Sequence, residues 1–136
     1  MSITRMAAIL YAIVTFLVVA FQVALAAGAP WGAYAMGGTS PGQFPPALRV
    51  AALLQAGLLV GVAAVVLARA GLALPGWSRA SRWLIWFAVV FAALSLVLNL
   101  ITPSAGERAL WAPIAFLLLI SSATVAFSGS SGSSLP

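Results

Sequence analysis

The sequence contains no cysteine and no histidine, and among its 136 residues only six are Lys or Arg and only one is Asp or Glu. All six cations are arginines and the lone acid is Glu107, so lysine and aspartate are missing as well. Without Cys or His the chain lacks the usual ligands of zinc, copper, haem iron and iron–sulfur clusters, and neither a metal nor a cofactor is expected. The same gaps remove His-assisted nucleophilic catalysis, thiol chemistry and a lysine Schiff base, while paired-carboxylate catalysis needs a second acid. The expectation is therefore a protein that is not an enzyme. No disulfide can form, and the loops carry no redox signal of their compartment. The net charge of +5 comes from arginines scattered along the chain, which form no basic stripe, so no nucleic-acid partner is expected. Gly37-Gly38 and Gly42 lie in a Pro-interrupted stretch with no following Lys-Ser/Thr, which argues against a phosphate-binding loop.

What remains is apolar. Hydrophobic residues make up 64% of the chain and charged residues 5%, whereas a water-facing domain carries about a quarter charged residues. Four stretches approach the roughly 20 residues needed to cross a bilayer, at about 6–27, 47–68, 83–101 and 109–127. They predict an all-α fold, a four-transmembrane-helix up-and-down bundle forming one domain over 1–127. The first stretch, with Arg5 before it and Ala24-Leu25-Ala26-Ala27 at its end, also has the form of a secretory signal. Its apolar length and the three further spans favour a retained helix. Residues 128–136, Ser-Gly-Ser-Ser-Gly-Ser-Ser-Leu-Pro, read as a flexible linker outside the domain.

The connection from Gly28 to Pro46 is rich in Gly and Pro, hence no span, but its Trp31, Tyr34 and Phe44 suit the headgroup layer better than a mobile linker. Pro45-Pro46 fits a helix start, where amides lack intrahelical partners. Pro113 is expected in about the first turn of the last helix. Arginine placement sets the orientation, because positive short loops stay in the cytoplasm. Arg5, Arg69, Arg79 and Arg82 share the face of the termini, against Arg49 and Arg108 on the other, so both termini are expected to be cytoplasmic. Trp77, Trp83 and Trp86 at one boundary and Trp111 at the other read as aromatic belts, with Arg79 and Arg82 facing lipid phosphates.

Polar side chains inside spans turn toward neighbouring helices, so their depth marks packing contacts or a site. Gln22, Gln55 and Asn99 all fall in the outer half, with Ser95 one turn below Asn99, whereas the inner halves of the first three helices are almost bare apart from Thr15. Two readings stand. The amides bond across helix interfaces, each contributing about 1 kcal/mol or less. Alternatively, Gln22, Gln55 and Asn99 line an outward-opening ligand cavity roofed by Trp31 and Tyr34. Arg49, just inside the second helix, either pairs with Glu107 to tie the two outer loops together, snorkels, or receives an anionic group in its planar fork. Gly57-x-x-x-Gly61 and Ala88-x-x-x-Ala92 are small-residue patterns expected to let helices approach within the bundle.

Two functional classes follow. A transporter or channel needs a polar path through both leaflets, which one copy does not offer; as a subunit of a homo-oligomeric channel the chain would supply one polar stripe. A binding protein needs only an outer surface, supplied by residues 28–49 and 102–111 and the polar residues below them. Binding of a lipid, a small apolar ligand or a membrane-protein partner is the favoured reading.

Gly28-Ala29-Pro30-Trp31-Gly32, Met36-Gly37-Gly38, Pro41-Gly42, Pro45-Pro46 and Arg49, followed by Asn99-Leu100-Ile101-Thr102-Pro103-Ser104, Glu107-Arg108 and Trp111-Ala112-Pro113, resemble small bacterial four-span integral membrane proteins of uncharacterised function. The resemblance covers nearly all of the chain before the tail. It implies a multi-pass protein of the bacterial cytoplasmic (inner) membrane and assigns no catalytic residue. Animal four-span junction proteins share the longer first outer loop with a Trp, but they carry a cysteine pair there that this chain lacks, so the likeness is architectural.

Overall fold

Long apolar runs without internal breaks become helices because a helix satisfies every backbone amide within the segment, which hydrocarbon surroundings demand. The computed structural model describes the backbone of residues 2–132 and the side chains of residues 2–128. Among the described residues it contains four α-helices, α1 (Ile3–Ala26), α2 (Pro46–Arg69), α3 (Ser78–Ile101) and α4 (Ala105–Gly132), with short 3₁₀ turns at Gly32–Tyr34, Met36–Gly38 and Pro75–Trp77 between them. All four are long and apolar enough to cross a membrane. A helix of 24 residues, the length of α1, α2 and α3, extends about 36 Å, against about 30 Å of hydrocarbon.

Local chemistry sets the helix ends. The Ser2 side chain accepts the Arg5 amide at 3.2 Å and opens α1. α1 closes with Gly28 at φ +107, the Gly28 amide donating to Leu25 O and the Ala29 amide to Ala24 O. α2 closes in the same way at Gly71, φ +76, with Gly71 to Ala68 O and Leu72 to Leu67 O. Both are Schellman closures, where glycine adopts the left-handed conformation without a Cβ penalty. α3 ends at Ile101 because Thr102 precedes Pro103 and is held extended at φ −60, ψ 142.

The helices pack as an antiparallel ring in which α1 touches α2 and α4, α3 packs chiefly on α4, and the α2–α3 seam is looser. Trp111 near the start of α4 sets its edge against Phe21 near the end of α1, while Ala8 meets the region of Val125 and Ala126 at the opposite end. One end of the bundle therefore carries the termini and the α2–α3 turn, and the other carries the α1–α2 and α3–α4 loops. The terminal half is a continuous apolar core of Ala8, Tyr11, Val14, Val62, Val66, Ile85, Ala88, Leu118 and Val125. A second, smaller cluster of Leu25, Ala35, Phe44 and Ala52 lies at the loop end.

Several expectations change in detail. α3 begins at Ser78, so Arg79 and Arg82 stand on its first turns and not in a surface turn; both are exposed, and so are Trp77, Trp83 and Trp86. α4 begins at Ala105, which places Glu107 in its first turn and Pro113 in its interior, where the missing N–H leaves Ala109 C=O without its helical donor. Residues 128–132, expected as flexible linker, continue α4, since serine and glycine extend a helix that is already nucleated by packing; residues 133–136 lie outside the described residues. Phe44, expected in the headgroup layer, is buried at 1% exposure. Of the two small-residue patterns, Ala88 and Ala92 are buried in the core, but Gly57 and Gly61 face outward with no atom within 4 Å of an added Cβ. They border an apolar notch with Leu58, Val65, Leu84 and Phe87 on the loose α2–α3 seam, which corrects the expectation of close packing there.

The two patterns should separate in stability. Ala88→Leu overpacks the core and is expected to cost about 1–3 kcal/mol in detergent unfolding, whereas Gly61→Ala should stay within about 0.5 kcal/mol of the parent or gain stability. Equal losses at both positions would contradict this packing.

Candidate functional site

Between the two apolar clusters, beneath the long loop, lies a cavity of about 530 Å³. Gln22 from α1, Gln55 from α2, Ser95 and Asn99 from α3, and Glu107 and Trp111 from α4 contribute to its lining, with Tyr34 and Met36 from the long loop above. Its deeper wall is apolar, with Leu59, Ala92 and Leu118, and Tyr11 lies beside them. Past this floor the helices close on Ile85, Val66 and Ala88, each fully buried.

The roof forms because the long loop is tightly folded. The Gly32 amide donates to Gly42 O at 2.9 Å, and a Cβ on Gly32 would stand 1.9 Å from Ser40 O, so only glycine permits the two strands of the loop to meet there. Phe44 pins the returning strand against Leu25 and Ala52. Tyr34 then lies over Gly106, whose absent side chain makes room for the ring, and Tyr34 O accepts the Trp111 indole N–H at 2.6 Å.

Glu107 fastens this loop to the α3–α4 corner. Its Oε2 accepts the Gly37 amide at 2.8 Å and the Thr102 hydroxyl at 3.4 Å. Ser104 completes the corner: its hydroxyl accepts the Glu107 amide at 3.1 Å as the α4 cap and donates to Ala33 O at 2.8 Å. Glu107 is only 9% exposed, and hydrogen bonds to a charged group contribute about 1.5–3 kcal/mol each.

The expected Arg49–Glu107 ion pair is not formed. Arg49 Nε donates to Phe44 O at 2.8 Å, with its guanidinium beside Gly28, and Glu107 takes the Gly37 amide instead. Each charge is thus spent on the backbone of the segment nearest to it. Arg108 likewise donates to Thr102 O at 2.6 Å.

Of the residues expected at a cavity, Gln22, Gln55, Asn99 and Tyr34 line it. Trp31 does not line it; the ring stacks on Phe21 at 5.9 Å, and Phe21 is itself part of the wall. Arg49 is also outside the lining. Gln22 is 8% exposed and its Oε1 is buried without a partner, so that amide does not cross-link helices through its oxygen. Asn99 Nδ2 donates to Ser95 O at 2.7 Å on its own helix. Deeper in α4, Ser121, Ser122 and Thr124 return their hydroxyls to carbonyls of their own helix, at 2.7, 2.7 and 2.8 Å for the shortest bonds. These groups are satisfied locally and add no polar path through the terminal half.

Glu107, Trp111 and Thr102 are cavity residues that sequence reasoning placed elsewhere. The spacing Ser104-x-x-Glu107 is that of a capping box and signals a buried, structured corner, although here the carboxylate reaches across to the other loop and not back to its own cap.

Two outcomes follow. Gly32→Ala should open the long loop, with amides of residues 28–46 exchanging about tenfold faster while helix amides keep their protection. Exchanging the charges, Arg49→Glu with Glu107→Arg, should not restore the folded yield lost by either single change; recovery in the double variant would reinstate the ion pair. No family model, curated protein or solved structure matches the chain, so its function is argued from the chemistry of the site.

Proposed function

We infer that the chain is a binding protein of the bacterial cytoplasmic membrane and not an enzyme, and that it receives a lipid or a small apolar molecule with a polar end in the loop-end cavity. The observation that carries this reading is the cavity itself: its size is that of small-molecule sites, and Gln22, Gln55, Asn99 and Glu107 put polar groups into a lining whose deeper wall is apolar. Those groups receive a polar end, and the apolar floor accommodates the rest of the ligand.

The arginine distribution supports an orientation with the terminal end in the cytoplasm, Arg5, Arg69, Arg79 and Arg82 against Arg49 and Arg108, which sets the cavity toward the outer side. Trp31 and Tyr34, each more than two-fifths exposed on the roof, offer the surface for a membrane-protein partner. The packed terminal half favours binding over conduction by one copy, leaving a homo-oligomeric channel as the alternative.

Native mass spectrometry of the full chain released from lipid nanodiscs tests the reading. A discrete small-molecule adduct on the monomer is expected, and Ala115→Phe, which places a ring in the cavity wall, should lower its occupancy about fivefold. A bare monomer would defeat the proposal, and a fixed ring of ligand-free subunits would favour the channel.

A further inference from the structure

We propose that the cavity selects a positively charged head, an ammonium group on an apolar body. This rests on the binding function inferred above and specifies its ligand.

Glu107 brings the one carboxylate of the chain into the lining. Its Oε2 is engaged by Gly37 and Thr102, but Oε1 accepts no hydrogen bond from any described residue. Gln22 also belongs to the lining, although its unpartnered oxygen is shielded from the open space. Asn99 gives one amide N–H to Ser95 O and keeps its oxygen and second N–H, so the neutral amides can accept or donate. The Glu107 oxygens are thus the charged acceptors of the rim.

No cation balances them. No arginine is part of the lining, and the two arginines of the loop end are each tied to a backbone carbonyl, Arg49 to Phe44 O and Arg108 to Thr102 O. An anionic head would meet the Glu107 charge with nothing to offset it, in surroundings where screening is weak. A neutral head would leave the carboxylate unneutralised.

The rings complete the pattern. Tyr34, Trp111 and Phe21 converge on the same wall, Phe21 and Trp111 in edge contact at 4.7 Å. Aromatic faces attract ammonium groups through the ring quadrupole, and a carboxylate beside them adds a charge-assisted contact. Leu59, Ala92 and Leu118 make the deeper wall apolar but for the Tyr11 hydroxyl, which sets the charged head beside Glu107 and the apolar body toward the floor.

Three probes of equal chain length separate head chemistry from apolar binding: dodecylammonium, dodecanol and dodecyl sulfate. They are titrated calorimetrically into the full chain in uncharged maltoside micelles, with protein-free micelles subtracted. The ammonium is expected to bind about tenfold more tightly than the alcohol, and the sulfate more weakly than both. Glu107→Gln keeps an acceptor for the Gly37 amide and should bring the ammonium and the alcohol within about twofold of each other. Tyr34→Leu leaves the carboxylate and the Tyr34 carbonyl in place and should narrow the preference about threefold, which keeps the test decisive if Glu107→Gln lowers the folded yield.

Equal binding of all three probes, or tightest binding of the sulfate, overturns the ammonium selection while leaving the binding function intact. Binding of none of them defeats both. Dihexanoyl phosphatidylethanolamine against dihexanoyl phosphatidylglycerol repeats the comparison on lipid heads. A preference for the former assigns the ammonium to a lipid, equal or no binding of the two assigns it to a free amphiphilic amine, and a preference for the latter overturns the selected charge.

Discussion

The loop end depends on a single carboxylate accepting a single amide. Gly37 N–H to Glu107 Oε2, at 2.8 Å, joins positions 70 residues apart and closes the long α1–α2 loop onto the α3–α4 corner. An unpaired glycine amide and an unpaired carboxylate would each be costly beside hydrocarbon, and their union removes both penalties. Ser104 and Trp111 then make the second and third ties, to Ala33 O and Tyr34 O. All three bonds end on the backbone between residues 33 and 37, so the roof is held by main-chain recognition and tolerates varied side chains above it.

Polarity is handled differently in the two halves. In the terminal half, hydroxyls turn back onto their own helix, as Ser121 and Ser122 do, and the neighbouring helices meet through Ala8, Ala88 and Ala126. That arrangement allows tight approach and leaves no polar group in need of a partner, apart from Thr15 Oγ1 and part of the Arg69 guanidinium. In the loop half, the same economy is relaxed. Gln22 keeps an unsatisfied oxygen, Glu107 keeps a spare one, and space is left where a core would otherwise be.

Much of this was legible in the chain because depth within an apolar span is countable. Gln22, Gln55 and Asn99 are separated in sequence by whole helices, yet each falls at the same level, and antiparallel packing brings levels together. Helix ends were less legible. Arginines near a boundary can cap a span or ride on it, and Arg79 and Arg82 ride on it because their long stems let the charge leave the apolar layer. The partner of Glu107 was illegible for a different reason. Opposite charge suggested Arg49, but the deciding factor is which donor the folded loop carries to the carboxylate, and Gly37 reaches it through a positive-φ turn that composition does not reveal. Gly57 and Gly61 show the limit of pattern alone: the same spacing as Ala88 and Ala92 lies on the opposite face, because helix phase and not residue size decides what a small residue touches.

The uneven depth of the cavity has an electrical consequence. Space reaching down to Tyr11 and Leu59 from one end leaves only the packed terminal half as an unbroken insulator. With water filling the cavity, a membrane voltage, worth about 2.3 kcal/mol per elementary charge per 100 mV over the full thickness, would fall mostly across that half. A charge at the mouth beside Glu107 would feel almost none of it, whereas one driven to the floor would cross a substantial part of the drop, so the position of an occupant along the bundle sets how strongly the membrane potential acts on it.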